Sequence, residues 1–309
     1  MEIHKPTISF VSPVYKAEKM LVKLVGEIQK IMLEINQSYE IILIDDRSPD
    51  NSWEVMIKIA HEFSEVKSVR LSRNFGQHPA IMAGLSLAKG EWIVVLDCDL
   101  QDQPKEVLKL YNKAMEGYDV VFAKRNNRKD GFFKKKSSKL FSIIFNYLAG
   151  TKFDNEIANF GIYNRKVIDS VLTIGDYIKS FPLFVYFTGF KSTAIMVDHA
   201  ARESGTTSYT FSKLISLAFN TIISYSNKPL KIFVKFGMFI SLLSIIGGIV
   251  NLILYFEGKI KVSGYSSLII SIWFLSGILI TVVGVVGIYV GKVFEQTKNR
   301  PPFIIDKIV

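Results

Sequence analysis

The sequence predicts an α/β protein: a mostly parallel sheet with helices on both faces, followed by a membrane-associated C-terminal part. Three observations carry this. From residue 7 to residue 123, short apolar runs alternate with amphipathic stretches of helical period, the pattern of parallel strands joined by right-handed crossovers. Two of those runs stop abruptly in acidic residues, at Asp45-Asp46 and at Asp97-Cys98-Asp99. Two later stretches, residues 236–256 and 266–290, hold no charged residue. Each is long enough as a helix to cross a hydrocarbon core about 30 Å thick.

In order, residues 8–12 read as the first strand. A helix over 18–35 follows, with Leu21, Leu24, Ile28 and Ile31 on one face. Residues 40–44 make the second strand, and Ser48, Asp50 and Asn51 offer N-caps for a helix through Phe63. A third strand over 67–71 leads to a helix over 80–88, and residues 92–96 form the strand that ends in the acidic motif. Pro104 suits the first turn of a helix, and 119–123 is a further strand.

Beyond residue 123 the character changes. Lys124, Arg125, Arg128, Lys129, Lys134, Lys135, Lys136 and Lys139 form a basic stretch that runs into the apolar residues of 140–148. That pattern predicts an interfacial helix, and 211–225 a second one; ordinary core helices with solvated lysines are the alternative. The two uncharged stretches predict a transmembrane hairpin. Lys228, Lys231 and Lys235 precede it and Lys292, Lys298 and Arg300 follow, while the link between the spans has only Lys259 and Lys261. The positive-inside rule then puts both flanks on the cytoplasmic side of the inner membrane.

The expected domains are 1–205, a cytoplasmic catalytic domain; 206–231, a juxtamembrane interfacial region; 232–292, the hairpin; and 293–309, a cytoplasmic tail. The polar start, Met1 to Pro6, does not read as a signal peptide. A single cysteine, Cys98, excludes an intrachain disulfide and fits a reducing compartment. The net charge of +10 suits a lipid bilayer with anionic headgroups; no nucleic-acid motif accompanies it. Small residues in the spans, such as Gly247, Gly248, Gly284 and Gly287, allow close helix packing within a chain or in a homo-oligomer.

The strand ends carry the chemistry. At the carboxyl end of a parallel strand, side chains project into the crevice where α/β sheets bind ligands. Asp97 and Asp99 are hard oxygen ligands suited to Mg²⁺ or Mn²⁺, with substrate phosphates completing the shell. Asp45 and Asp46 should share that crevice with Pro13-Val14-Tyr15 from the first strand. A carboxylate there can accept from a uracil imide or ribose hydroxyls, and Tyr15 can pack on a base. The alternative for one of the two acids, Asp45 above all, is that it caps the following helix.

Pro13-Val14-Tyr15, Asp45-Asp46-Arg47-Ser48-Pro49-Asp50 and Asp97-Cys98-Asp99-Leu100-Gln101 together resemble the signatures of family-2 glycosyltransferases, and more narrowly of polyprenyl-phosphate glycosyltransferases. Leu71-Ser72-Arg73-Asn74-Phe75-Gly76, the set Arg202, Gly205, Ser208 and Tyr209, and Lys298-Asn299-Arg300-Pro301 extend the likeness over nearly the whole chain. The resemblance implies a GT-A-type Rossmann-like fold and an inverting transfer from a UDP-sugar donor to undecaprenyl phosphate. It assigns Pro13, Tyr15, Glu18, Asp45, Asp46 and Asp97 to the nucleotide and Asp97, Asp99 and Gln101 to the metal. Arg125, Arg128, Lys134 and Arg202 fall to the acceptor phosphate, and Asp97, Asp99, Arg125 and Asn159 to catalysis.

A phosphate monoester has a second pKa near about 6, so this acceptor is already ionised at neutral pH and requires no strong general base. The chain departs from relatives in two places. Asn159, in Ala158-Asn159-Phe160-Gly161-Ile162, stands where many have an aspartate, and Lys16-Ala17-Glu18 replaces a common Asn-Glu pair, which leaves Glu18's contact open. His78 and His199 read as structural. The rival readings are a processive polysaccharide synthase, which needs an Arg-Trp acceptor motif absent here, and a non-catalytic nucleotide-sugar-binding scaffold.

Overall fold

The computed structural model describes residues 6–125, 147–148, 157–176, 181–198, 226–258 and 264–309. Contacts divide the chain into two compact units: Met1–Phe132, Phe153–Thr207 and Arg300–Val309 in one, Phe133–Lys152 and Ser208–Asn299 in the other.

Among the described residues, the first unit is built on a mixed eight-stranded sheet. Its strands are β1 (Ile8–Val14), β2 (Tyr39–Asp45), β3 (Val66–Leu71), β4 (Trp92–Val95), β5 (Val120–Arg125), β6 (Ile157–Asn164), β7 (Ser192–Val197) and β8 (Ile305–Ile308), in the order β7-β5-β6-β4-β1-β2-β3-β8. The expected parallel core is present: β1 pairs in parallel with β2 and β4, and β2 with β3. Every residue of β1 is buried, as befits a central strand covered on both faces.

Helices fill both faces. One layer holds α1 (Leu21–Ile35), α2 (Ser52–Glu62) and α4 (Val107–Met115), the last entered through a 3-10 turn at Pro104–Glu106. Helix α1 buries Leu21, Leu24, Val25, Ile28, Ile31 and Met32, the 3-4 spacing of a single apolar face. It stops at Asn36, a left-handed cap whose N–H donates to Met32 O. The other layer holds α3 (Gln77–Leu87), α5 (Arg165–Leu172) and α6 (Phe181–Phe187). Helix α3 lies close on β1 and β2 because Gly84 has no side chain: a Cβ there would stand 2.5 Å from both Ile44 Cδ1 and Val11 Cγ1.

Three strands fall outside the alternating pattern. β6 runs antiparallel between β4 and β5, with Val95 opposite Gly161, so β5 points the same way as β4. β7 continues the sheet parallel to β5. β8, from the C-terminal tail, closes the far edge antiparallel to β3, and its Asp306 pairs with Arg47 at 3.0 Å.

The second unit contains α7 (Lys228–Phe256), 29 residues, and α8 (Tyr265–Thr297), 33 residues. Ser271–Thr297 of α8 contains an 18-residue stretch with a mean hydropathy of 2.3, none of it buried, so the helix is long and apolar enough to cross a membrane. Among the described residues this is the one helix that qualifies. The expected first span, 236–256, falls in α7, where some side chains lie outside the described residues. Both predicted interfacial segments, 140–148 and 211–225, lie almost wholly outside them.

Candidate active site

Four loops at the carboxyl ends of β1 to β4 converge on one cleft of about 410 Å³. Its walls are Pro13, Val14 and Tyr15 from β1, Asp46 after β2, Asn74, Gly76 and Gln77 between β3 and α3, and Asp97, Cys98 and Asp99 after β4. Each loop contains a left-handed residue: Lys16 at φ 56, Arg47 at φ 55, Gly76 at φ 98 and Leu100 at φ 58. Three of these are not glycine, and such backbone costs energy that ordinary loops avoid. Its recurrence at one end of the sheet marks that end as the shaped one.

The pleat sorts the acids, since neighbouring residues on a strand point to opposite faces. Asp45 faces the α2 layer, fully buried; its Oδ1 accepts the Ser48 N–H at 2.8 Å, and its Oδ2 pairs with Arg70 Nε at 3.1 Å. Asp46 points the other way. Its Oδ1 accepts the N–H of Phe75 at 2.7 Å and its Oδ2 that of Gly76 at 2.8 Å. Burial pushes the Asp46 carboxyl above its ordinary pKa, with Asp45 adding to the rise; the two amides pull it back only in part.

Asp97 emerges on the same face as Asp46 and accepts from Gln77 Nε2 at 2.7 Å. Asp99 Oδ1 accepts the Gln101 N–H at 3.1 Å, a tight turn that the left-handed Leu100 makes feasible. Between the acids, Cys98 is buried, and burial pushes its thiol up to about 12, with Asp97 and Asp99 adding to the effect. A thiol held protonated is neither a ligand nor a nucleophile. Tyr15 is 48% exposed at the mouth, with the Lys16 ammonium 5.5 Å from its ring centre.

Of the residues picked from the sequence, Pro13, Tyr15, Asp46, Asp97 and Asp99 line the cleft together. Asp45, Glu18 and Gln101 do not. Asp45 is taken up by its buried pair. Glu18 laces the first loop to the second: its Oε2 accepts the Asn51 N–H at 3.1 Å and its own N–H donates to Asp50 Oδ2 at 3.4 Å. Asn159, half-buried on β6, lies two residues beyond the pair Val95–Gly161, toward the end from which Asp97 emerges. Arg125 is the last residue of β5, at the same end of the sheet. Arg128, Lys134 and Arg202 lie outside the described residues, as does His199.

The cleft adds Asn74, quoted in the sequence only within a resembling stretch and given no role, and Gln77, which the sequence did not single out. The strand-end rule that picks the acids applies equally to the loop after β3, and it is the signal that would have found them. Among the described residues no group of three or more His, Cys, Asp or Glu could by itself hold a metal ion. Two carboxylates in an open cleft nonetheless suit a hard cation that takes the rest of its shell from a substrate diphosphate.

The family model for glycosyl transferase family 2 matches residues 9–172, the span that supplies all four of these loops. The chain is a family-2 glycosyltransferase. Its relatives include an uncharacterized glycosyltransferase, YkcC, of Bacillus subtilis, 32% identical over 97% of this chain and 93% of that protein. An undecaprenyl-phosphate 4-deoxy-4-formamido-L-arabinose transferase of Proteus mirabilis is 32% identical over 98% of this chain and 94% of its own length. Among solved structures, glucosyl-3-phosphoglycerate synthase of Mycobacterium tuberculosis, in complex with Mn²⁺, uridine diphosphate and its product, superposes with a TM-score of 0.52. It covers 71% of this chain and 78% of that one at 15% identity, a likeness of GT-A fold. The glycosyltransferase domain is thus α/β with a mixed, mainly parallel sheet.

Proposed function

We propose that this glycosyltransferase moves a sugar from a UDP-sugar to a polyprenyl phosphate at the cytoplasmic face of the membrane, with inversion and with Mg²⁺ or Mn²⁺. The observation that carries the reading is the cleft itself, where Tyr15 and Asp46 stand beside the pair Asp97 and Asp99. The donor class draws support from the solved neighbour that holds Mn²⁺ and uridine diphosphate. The acceptor class draws support from the chain-long similarity to an undecaprenyl-phosphate sugar transferase.

In this reading Tyr15 stacks on the uracil, while Asp46 fixes the wall formed by Phe75 and Gly76 and offers remaining lone pairs to the base. Asp97 and Asp99 would hold the cation, which when bound acts as a Lewis acid on the departing diphosphate. An ionised acceptor oxygen attacks the anomeric carbon as the bond to UDP breaks, so no side chain has to remove a proton. The chain's task is to bring two anions together and screen them, which suits arginine forks. Arg125, Arg128, Lys134 and Arg202 are proposed for that task, and Asn159 for contact with the sugar or the acceptor phosphate. Gln101 serves through its backbone, which turns Asp99 toward the cleft. The span in α8, with a second proposed in α7, would anchor the chain in the membrane that holds the acceptor.

The test is transfer from a panel of UDP-sugars to undecaprenyl phosphate in detergent, with Mn²⁺ or Mg²⁺ and then with chelator. A chelator-sensitive, acid-labile glycolipid supports the proposal and identifies the sugar. UDP-sugar binding without glycolipid from any donor overturns the acceptor assignment.

A further inference from the structure

We propose that Gln77 is a positioning residue of the donor site, one that fixes how the Asp97 carboxylate faces a divalent cation. The proposal rests on the reading of Asp97 as a cation ligand. Its basis is a chain of contacts through three consecutive residues. Asp46, only 3% exposed, grips the N–H groups of Phe75 and Gly76. The next residue, Gln77, reaches across the cleft and donates Nε2 to Asp97 Oδ1 at 2.7 Å.

The reach is anchored at both ends. Gly76 makes the turn at φ 98, open to glycine alone without strain. Gln77 then begins α3, which the close approach at Gly84 seats on β1 and β2. A buried acid therefore sets the backbone from which an amide orients an acid at the cleft surface, and the two acidic motifs act as one frame. The choice of an amide is chemically specific. It donates a hydrogen bond and so orients the carboxylate, yet it carries no charge to compete with a cation. A lysine in its place would pair with Asp97 as a cation in its own right. Alanine would remove that donor from Asp97 Oδ1.

The experiment uses the full-length protein in detergent, with UDP present, and reads bound Mn²⁺ by electron paramagnetic resonance. Removing a group that orients a metal ligand lowers metal affinity by about tenfold or more. Gln77→Ala should show that loss and Gln77→Lys a larger one, while the melting temperature stays at the wild-type value. Wild-type Mn²⁺ affinity in Gln77→Ala, beside a clear loss in Asp97→Asn, overturns the proposal and spares the reading of Asp97. Wild-type affinity in Asp97→Asn overturns that reading, and the role of Gln77 with it.

Discussion

Asp46 and Gly76, thirty positions apart in the chain, are joined by a 2.8 Å hydrogen bond from the Gly76 N–H to Asp46 Oδ2. The other oxygen takes the Phe75 N–H, so one carboxylate closes on two successive amides. Asp46→Asn keeps the shape but turns one acceptor into a donor facing an N–H. A buried donor left without a partner costs about 1–3 kcal/mol. The expected outcome is a drop in stability of that order together with weakened UDP binding, because the loop that moves also carries Asn74 and Gln77. Thermal melting and UDP titration measure both. A variant with wild-type melting and wild-type UDP affinity would show that the loop holds its shape without Asp46.

His78, the second residue of α3, has a fully buried Nδ1 with no hydrogen-bond partner among the described residues. Burial pulls its pKa down from 6.5 to about 4. Between those values the unfolded chain takes up a proton that the folded chain does not. The stability contributed is therefore present above pH 6.5, is lost as pH falls, and levels off below about 4. Its full size should be about 3 kcal/mol, of which about 2 kcal/mol is lost by pH 5. Melting midpoints of wild type and His78→Phe, compared at pH 7.5 and pH 5, should diverge as wild type loses the larger amount on acidification. Parallel curves would mean that the ring titrates normally in the folded protein.

The only cysteine lies between the two acids of the cleft, yet it should be chemically quiet. A thiol pushed up to about 12 has about a thousandfold less thiolate near pH 8 than an ordinary one. Alkylation of the folded protein should be slower by about that factor, and unfolding in denaturant should restore the normal rate. Prompt stoichiometric labelling of the folded enzyme, with activity lost in parallel, would contradict the buried environment assigned to Cys98.

The half of the sheet built from β1 to β4 was legible because each strand is a short apolar run ending in polar residues. So were the acids at the cleft, by the rule that places ligands at the carboxyl ends of parallel strands. What the strand-end rule could not do was separate Asp45 from Asp46; only the resemblance favoured Asp46 for the base. Both end one strand, and only the pleat, set by which of Ile41 to Ile44 meets α3, decides that the first is buried against Arg70 and the second faces the cleft. β6 was hidden for a different reason: an antiparallel strand inserted between β4 and β5 has no crossover helix to announce it. Gln77 was hidden because an amide at a helix start has no periodicity and no charge; its meaning comes from Asp97, twenty positions away. β8 is four residues with two charges, Asp306 and Lys307, and it reads as a solvated tail until β3 is placed beside it.

That tail supplies the last expectation. Ser68 and Val309 exchange N–H to carbonyl bonds at 2.8 Å each way, and the Ser72 N–H donates to Ile304 O at 2.9 Å. Ser72 begins the loop that runs to Gly76, so the strand that covers the β3 edge also steadies one wall of the cleft. Deleting residues 304–309 removes these bonds and exposes an unpaired edge, an invitation to intermolecular pairing. At about 1 kcal/mol net per bond, the loss should be about 2–4 kcal/mol. Asp306→Asn alone breaks only the half-exposed pair with Arg47 and should cost less than about 1 kcal/mol. The truncated protein should melt earlier, aggregate on gel filtration and bind UDP more weakly, whereas the point variant should resemble wild type in all three. Equal losses in both would place the tail's contribution in the ion pair and not in the strand.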